Sequence, residues 1–131
     1  ANLRVPRGQS CLLSMERALP YDRSALTNGY LQGNVSGPTH GGLFICNLEE
    51  LTCRRTEIML CMRVTHIDWE HREVWMESTR AGPDVTEVVA FKSLIIATGS
   101  LPIRLAVPGE AFNNVFYLRT AADVDKITEC L

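Results

Sequence analysis

The sequence predicts an α/β fold with a three-stranded antiparallel meander inserted into it. Three observations lead there. Ser93-Leu94-Ile95-Ile96-Ala97 is a short apolar run that stops at Thr98-Gly99-Ser100. That is the pattern of a strand covered on both faces in a mainly parallel sheet. From Val64 to Ala90 the chain alternates apolar and polar residues in runs divided by turn residues, as half-buried antiparallel strands do. Thr120-Ala121-Ala122-Asp123 has the spacing of a capping box and opens an amphipathic stretch.

Size and charge narrow the class. The chain has 131 residues, a formal net charge of −2, 46% apolar and 21% charged residues. That is one domain's worth of chain with an ordinary globular composition. The near-balance of charge gives nucleic-acid binding no electrostatic support. No apolar run approaches a membrane span, and Ala1 to Gly8 lacks the apolar core of a signal peptide. The N-terminus also lacks an initiator Met, as a fragment or processed chain does.

The five cysteines stand at irregular spacings with no Cys-x-x-Cys pair, so neither a zinc knuckle nor a redox dithiol is expected. They read as small buried or half-buried residues. They point to a reducing compartment, the cytoplasm or another intracellular one. His66 and His71 are five apart across a strand and turn, poor spacing for two ligands, and no metal is expected.

Taken in order, residues 1–9 read as an irregular entry. Ser10 to Glu16 reads as a strand ending in an acid. Glu16 is either a surface charge or, at the carboxyl end of a dinucleotide-binding sheet, an acceptor for ribose hydroxyls. Pro20 blocks any helix through that junction. Asp22 and Ser24 are candidate caps for a short helix to about Leu31, weakened by Gly29. Arg23 offers a planar cation suited to a phosphate or carboxylate, or a surface pair with Asp22. Residues 32–42, rich in Gly, Asn, Ser, Pro and Thr, read as a loop. Leu43 to Cys46 is an apolar knot, and Asn47 caps a short helix to about Arg55.

Glu57 to Met62 reads as a buried strand. Val64–Trp69, Glu73–Ser78 and Thr86–Ala90 make the meander, with turns through Glu70-His71-Arg72 and through 79–84 and with Trp69 and Trp75 covering its faces. Phe91-Lys92 leads into the apolar strand. Leu101 to Gly109, bracketed by prolines, is extended. Asn114 to Arg119 is strand-like. The last helix places Val124, Ile127 and Leu131 on one face.

Several of these runs together resemble a known family. Leu19-Pro20-Tyr21-Asp22-Arg23, Leu26-Thr27, Ile95-Ile96-Ala97-Thr98-Gly99-Ser100, Val107-Pro108-Gly109 and Tyr117-Leu118-Arg119-Thr120 occur in the order found in the FAD domain of the pyridine-nucleotide-disulfide oxidoreductase superfamily. The nearest branch is the ferredoxin-reductase type, which includes proteins similar to apoptosis-inducing factor. The FAD half of the large nitrite reductase subunit is a near neighbour. The resemblance covers residues 10–131 and implies a partial Rossmann-like FAD-binding domain.

By the same resemblance, Glu16 binds the adenosine ribose and Arg23 lies by the pyrophosphate. Val64 meets the adenine through its backbone. Ala97, Thr98 and Gly99 pass close to the phosphates and ribityl chain, and Arg119 reaches the flavin region. The implied reaction passes electrons from NADH or NADPH through FAD to an acceptor such as a ferredoxin or Rieske-type domain. Three points stand beside it. No strand and Gly-rich turn precede Ser10, Asn28, placed beside the flavin in the cofactor site, stands where the ferredoxin-reductase pattern usually has Lys, and the NAD(P)H domain is expected to follow Leu131. The isolated chain is therefore expected to hold FAD poorly and not to turn over. The alternative from another class is a non-catalytic α/β module kept for binding a partner.

Overall fold

The computed structural model describes residues 2–4, 10–34, 43–80 and 86–131, with residues 2–4 described as backbone only. The expected loop at 35–42 and the turn at 81–84 lie outside the described residues. The chain divides into two compact units, Ala1–Leu19 with Cys46–Ile96 and Pro20–Ile45 with Ala97–Leu131.

Among the described residues, the first unit holds all the strands. β1 (Asn2–Arg4), β2 (Ser10–Leu13), β3 (Thr56–Met59), β4 (Met62–Asp68), β5 (Glu73–Ser78) and β6 (Thr86–Ala90) form two sheets. The larger has the order β1-β6-β5-β4 and the smaller pairs β2 with β3 in parallel. Parallel strands need a crossover connection, and the chain between Leu13 and Thr56 supplies it. The expected meander is present, with β5 antiparallel to both β4 and β6.

Alternation along β5 sends Val74 and Met76 to one face, where they meet Met59, Met62 and Val89 in the core. Met76 is wholly buried. The β4–β5 turn is fastened by Asp68, whose carboxylate accepts from the His71 amide at 2.9 Å and lies 2.8 Å from His71 Nδ1. Trp75 is half-buried, whereas Trp69 is 63% exposed and only touches Phe91 edge-on. Trp69 therefore does not cover a face of the meander.

Three boundaries differ from the sequence reading in this unit, the first being β2, which stops at Leu13 so that Glu16 lies in the bend beyond it rather than at the strand end. Asn2–Arg4 is a strand rather than an irregular entry, because the outer edge of β6 offers it a parallel ladder, Leu3 against Val88. The run 57–62 is not one strand, because Cys61 takes a left-handed φ of 59° and turns β3 into β4. Its amide then bonds the Glu16 carbonyl and its own carbonyl accepts from Thr79. The same unit carries helix α1 (Leu48–Cys53), opened by a capping box in which Asn47 Oδ1 accepts from the Glu50 amide and Glu50 returns the bond.

The second unit is built on α2 (Ala121–Glu129) and a single wide π-type turn, Leu26–Tyr30, closed by the Leu31 amide on the Leu26 carbonyl. The short helix expected to reach about Leu31 is present as this turn, but neither Asp22 nor Ser24 caps it. Asp22 Oδ1 takes the Ser24 amide and hydroxyl and makes a side-chain turn there instead. Val124 and Ala121 are buried and Ile127 half-buried. Leu131, assigned to the same face, is 95% exposed, because the helix ends at Glu129.

The largest correction concerns 93–100. It pairs with no strand among the described residues, and Ile95 is 88% exposed. Residues 115–119, expected to be strand-like, likewise form no ladder among the described residues. Both are apolar enough for a strand. A strand, however, forms only where a neighbour offers N–H and C=O groups, and none of the described residues does so for either run.

Candidate functional site

The sequence-derived candidates fall in both units. Glu16 and Val64 lie in the first. Glu16 is half-buried just past β2, its amide bonded to Ser14 Oγ at 3.1 Å. The Cys61 amide donates to its carbonyl at 3.0 Å and the Met62 amide to the Ser14 carbonyl at 2.9 Å. These bonds fasten the carboxyl end of β2 to the start of β4, the strand that carries Val64. Val64 is exposed and opposes Met76, and the β4 register shifts between Val64 and His66. Such a bulge re-aims the backbone and is common beside ligand sites.

Arg23, Asn28, Ala97, Thr98, Gly99 and Arg119 lie in the second unit. Three of them form one chain of contacts. Arg23 Nη1 donates to the Arg119 carbonyl at 2.8 Å. Arg119 turns its own guanidinium toward Gly99, where an added Cβ would stand 3.3 Å from Nη2. Gly99 has a φ of +71°, left-handed backbone that glycine takes without strain. Ala97 and Thr98 lead into Gly99 and are exposed. Asn28 is exposed on the wide turn and outside this chain of contacts.

Arg119 could have been a surface partner of Asp123. Instead its main-chain N–H meets Asp123 Oδ2 at 3.1 Å, beside the Thr120 amide and hydroxyl, both at 2.8 Å. Burial works to raise the Asp123 carboxyl, but these bonds and the Lys126 charge prevail and hold it below the usual carboxylate value. The Asp22 carboxyl is lowered by its bonds from Ser24. On the far side of the wide turn, the Tyr30 hydroxyl donates to Asp125 Oδ1. That bond, with burial and the carboxylate charge, pushes the phenol up to about 12 and ties the turn to α2.

Sequence reasoning missed Tyr21. It is buried, its ring lies under the Arg23 guanidinium with Cζ 5.3 Å from the centroid, and its hydroxyl oxygen accepts from Arg23 Nη1 at 3.2 Å. The same oxygen accepts the Ala121 amide at 3.1 Å. The usable signal was an aromatic residue two places before an arginine, just after a proline.

A parallel strand pair and an antiparallel meander together place the chain in a Rossmann-like class of fold. The comparisons with known proteins agree. The profile of the family described as pyridine nucleotide-disulphide oxidoreductase matches residues 2–130, and the chain belongs to that family. A peroxisomal monodehydroascorbate reductase 2 of Oryza sativa subsp. japonica is 31% identical over 95% of this chain and 27% of its own length. The ferredoxin–NAD(+) reductase subunit of the benzene 1,2-dioxygenase system of Pseudomonas putida is 27% identical over 93% and 27%.

Among solved structures, a ferredoxin reductase for the CYP199A2 system from Rhodopseudomonas palustris superposes with a TM-score of 0.73 at 26% identity. It covers 94% of this chain and 28% of that one. The chain thus spans about a quarter of the length of the relatives it matches. Among the described residues, no helix is long and apolar enough to cross a membrane, and no three His, Cys, Asp or Glu side chains are grouped to hold a metal ion.

Proposed function

We propose that this chain is part of a FAD-dependent NAD(P)H oxidoreductase, and that residues 10–131 form part of its FAD-binding domain. The whole protein would pass electrons from a nicotinamide cofactor through flavin to an acceptor. One arrangement carries the reading, the Arg23–Arg119–Gly99 chain of contacts. Two guanidiniums and a stretch of backbone without a side chain fit a phosphate chain, because they combine charge, planar donors and close approach. FAD, when bound, supplies the two-electron chemistry, and the protein supplies orientation and electrostatics.

On this reading Arg23 neutralises the pyrophosphate, and Ala97, Thr98 and Gly99 flank the phosphates and ribityl chain. Arg119 carries its charge toward the flavin. Glu16 accepts from the adenosine ribose and the Val64 backbone meets the adenine. Asn28, neutral and exposed, adds no cation beside the flavin. The proposed acceptor is a ferredoxin or Rieske-type protein, in keeping with the name of the Pseudomonas relative. A reducing compartment such as the cytoplasm is in keeping with the five free cysteines.

The test is Arg119→Ala in the complete protein. Flavin affinity is expected to fall about tenfold, the loss of a charged hydrogen-bonding group. Unfolding stability should change by less than about 1 kcal/mol, because the side chain is only half-buried. FAD occupancy equal to that of the parent, measured by absorbance after gel filtration, defeats the reading.

A further inference from the structure

We infer that Tyr21 is the positioning residue that aims Arg23. The inference rests on the phosphate-binding role proposed for Arg23. A long exposed arginine ordinarily samples many rotamers, and ordering it on a ligand consumes affinity. Here the ordering is built in. The Tyr21 ring supports the guanidinium from below, its hydroxyl oxygen takes Nη1 at 3.2 Å, and the Arg119 carbonyl takes the same nitrogen at 2.8 Å.

Tyr21 can do this because it is itself fixed. It bridges Phe44 antiparallel, the Asp22 amide bonds the Leu43 carbonyl, and the Ile45 amide bonds the Pro20 carbonyl. Its hydroxyl oxygen also accepts the Ala121 amide, one of the N–H groups that the first turn of α2 cannot satisfy within the helix. One buried oxygen therefore sets the direction of Arg23 and the start of the helix that follows Arg119. The result is a guanidinium with its plane fixed before any anion arrives.

The experiment compares the complete protein, stripped of flavin, with its Tyr21→Phe, Arg23→Ala and double variants, with ADP as probe. The readout is the NMR resonances of the Arg23 side-chain N–H and the Gly99 amide. Phe keeps the buried ring and removes only the oxygen. ADP affinity is expected to fall about fivefold in Tyr21→Phe, the loss of one hydrogen bond. Arg23 side-chain protons should exchange faster with water. In the Arg23→Ala background Tyr21→Phe should cost nothing further, which a purely structural role would not produce.

Unchanged ADP affinity in Tyr21→Phe, with Arg23→Ala weakened, overturns the positioning role. Additive losses overturn it too. If Arg23→Ala binds ADP like the parent, or ADP moves neither resonance in the parent, the phosphate reading of Arg23 itself fails and this inference with it. Should Tyr21→Phe not fold, Arg23→Lys tests the same geometry. A point charge cannot keep the stacked, doubly bonded arrangement, so a similar loss is expected and parent-like affinity overturns the proposal.

Discussion

The two units are held together by different means. The first is a sheet structure, in which backbone ladders β1-β6-β5-β4 and β2-β3 carry the chain and a methionine-rich core lies against them. The second has no strand longer than an isolated bridge among its described residues. It relies on side chains bonded to backbone: Tyr21 on Ala121, Arg23 on Arg119, Asp123 on Thr120. The polar candidates that touch one another are in the second unit. A ladder gives rigidity that tolerates many side chains, whereas a polar clasp depends on particular atoms. Substitutions should therefore act on stability in the first unit and on ligand aim in the second.

The largest expected effect is Met76→Ala. Met76 is wholly buried in the core of the first unit, and the cavity should cost about 2–5 kcal/mol. Denaturant unfolding measures it. A loss under about 1 kcal/mol would mean that the sheet ladder, not the core, carries this unit.

Gly99→Ala comes next and probes the second unit. A left-handed φ costs an L-residue about 1–2 kcal/mol, and the new Cβ would sit 3.3 Å from Arg119 Nη2. Flavin affinity in the complete protein should fall by more than stability does. Equal losses in the two measurements would erase the contrast between the units.

The smallest effect concerns the exposed His71–Asp68 pair at the tip of the hairpin. Hydrogen bonding to Asp68, then its charge, raises the His71 value above the ordinary 6.5. A raised basic group contributes below its unfolded value and loses that contribution as pH rises through the folded value. Asp68 is lowered, chiefly by the His71 amide, so its contribution is lost as pH falls through its folded value. An NMR titration of the His71 ring should show a midpoint above 6.5 that drops in Asp68→Asn. A midpoint unmoved by the substitution would show that the pair does no electrostatic work.

Local patterns in the sequence determined a good deal. Alternation of period two gave the meander, because side chains on a pleated strand alternate by geometry alone. Asn47 as a cap, and Thr120 with Asp123, gave both helix starts, because a cap side chain reaches the N–H groups two or three residues on. The ordered motifs gave the family, now matched over residues 2–130.

Other features depended on residues far away in the chain. Whether Ile95 sits in a strand turns on a neighbour elsewhere, and no apolar run contains its partner. The left-handed Cys61 was hidden inside a run that reads as continuous strand. Tyr21 meets Ala121 across a hundred residues, so its part in aiming Arg23 became visible only when the chain closed on itself. Local propensity decides which residues can form an element, and only tertiary structure decides which polar atoms meet.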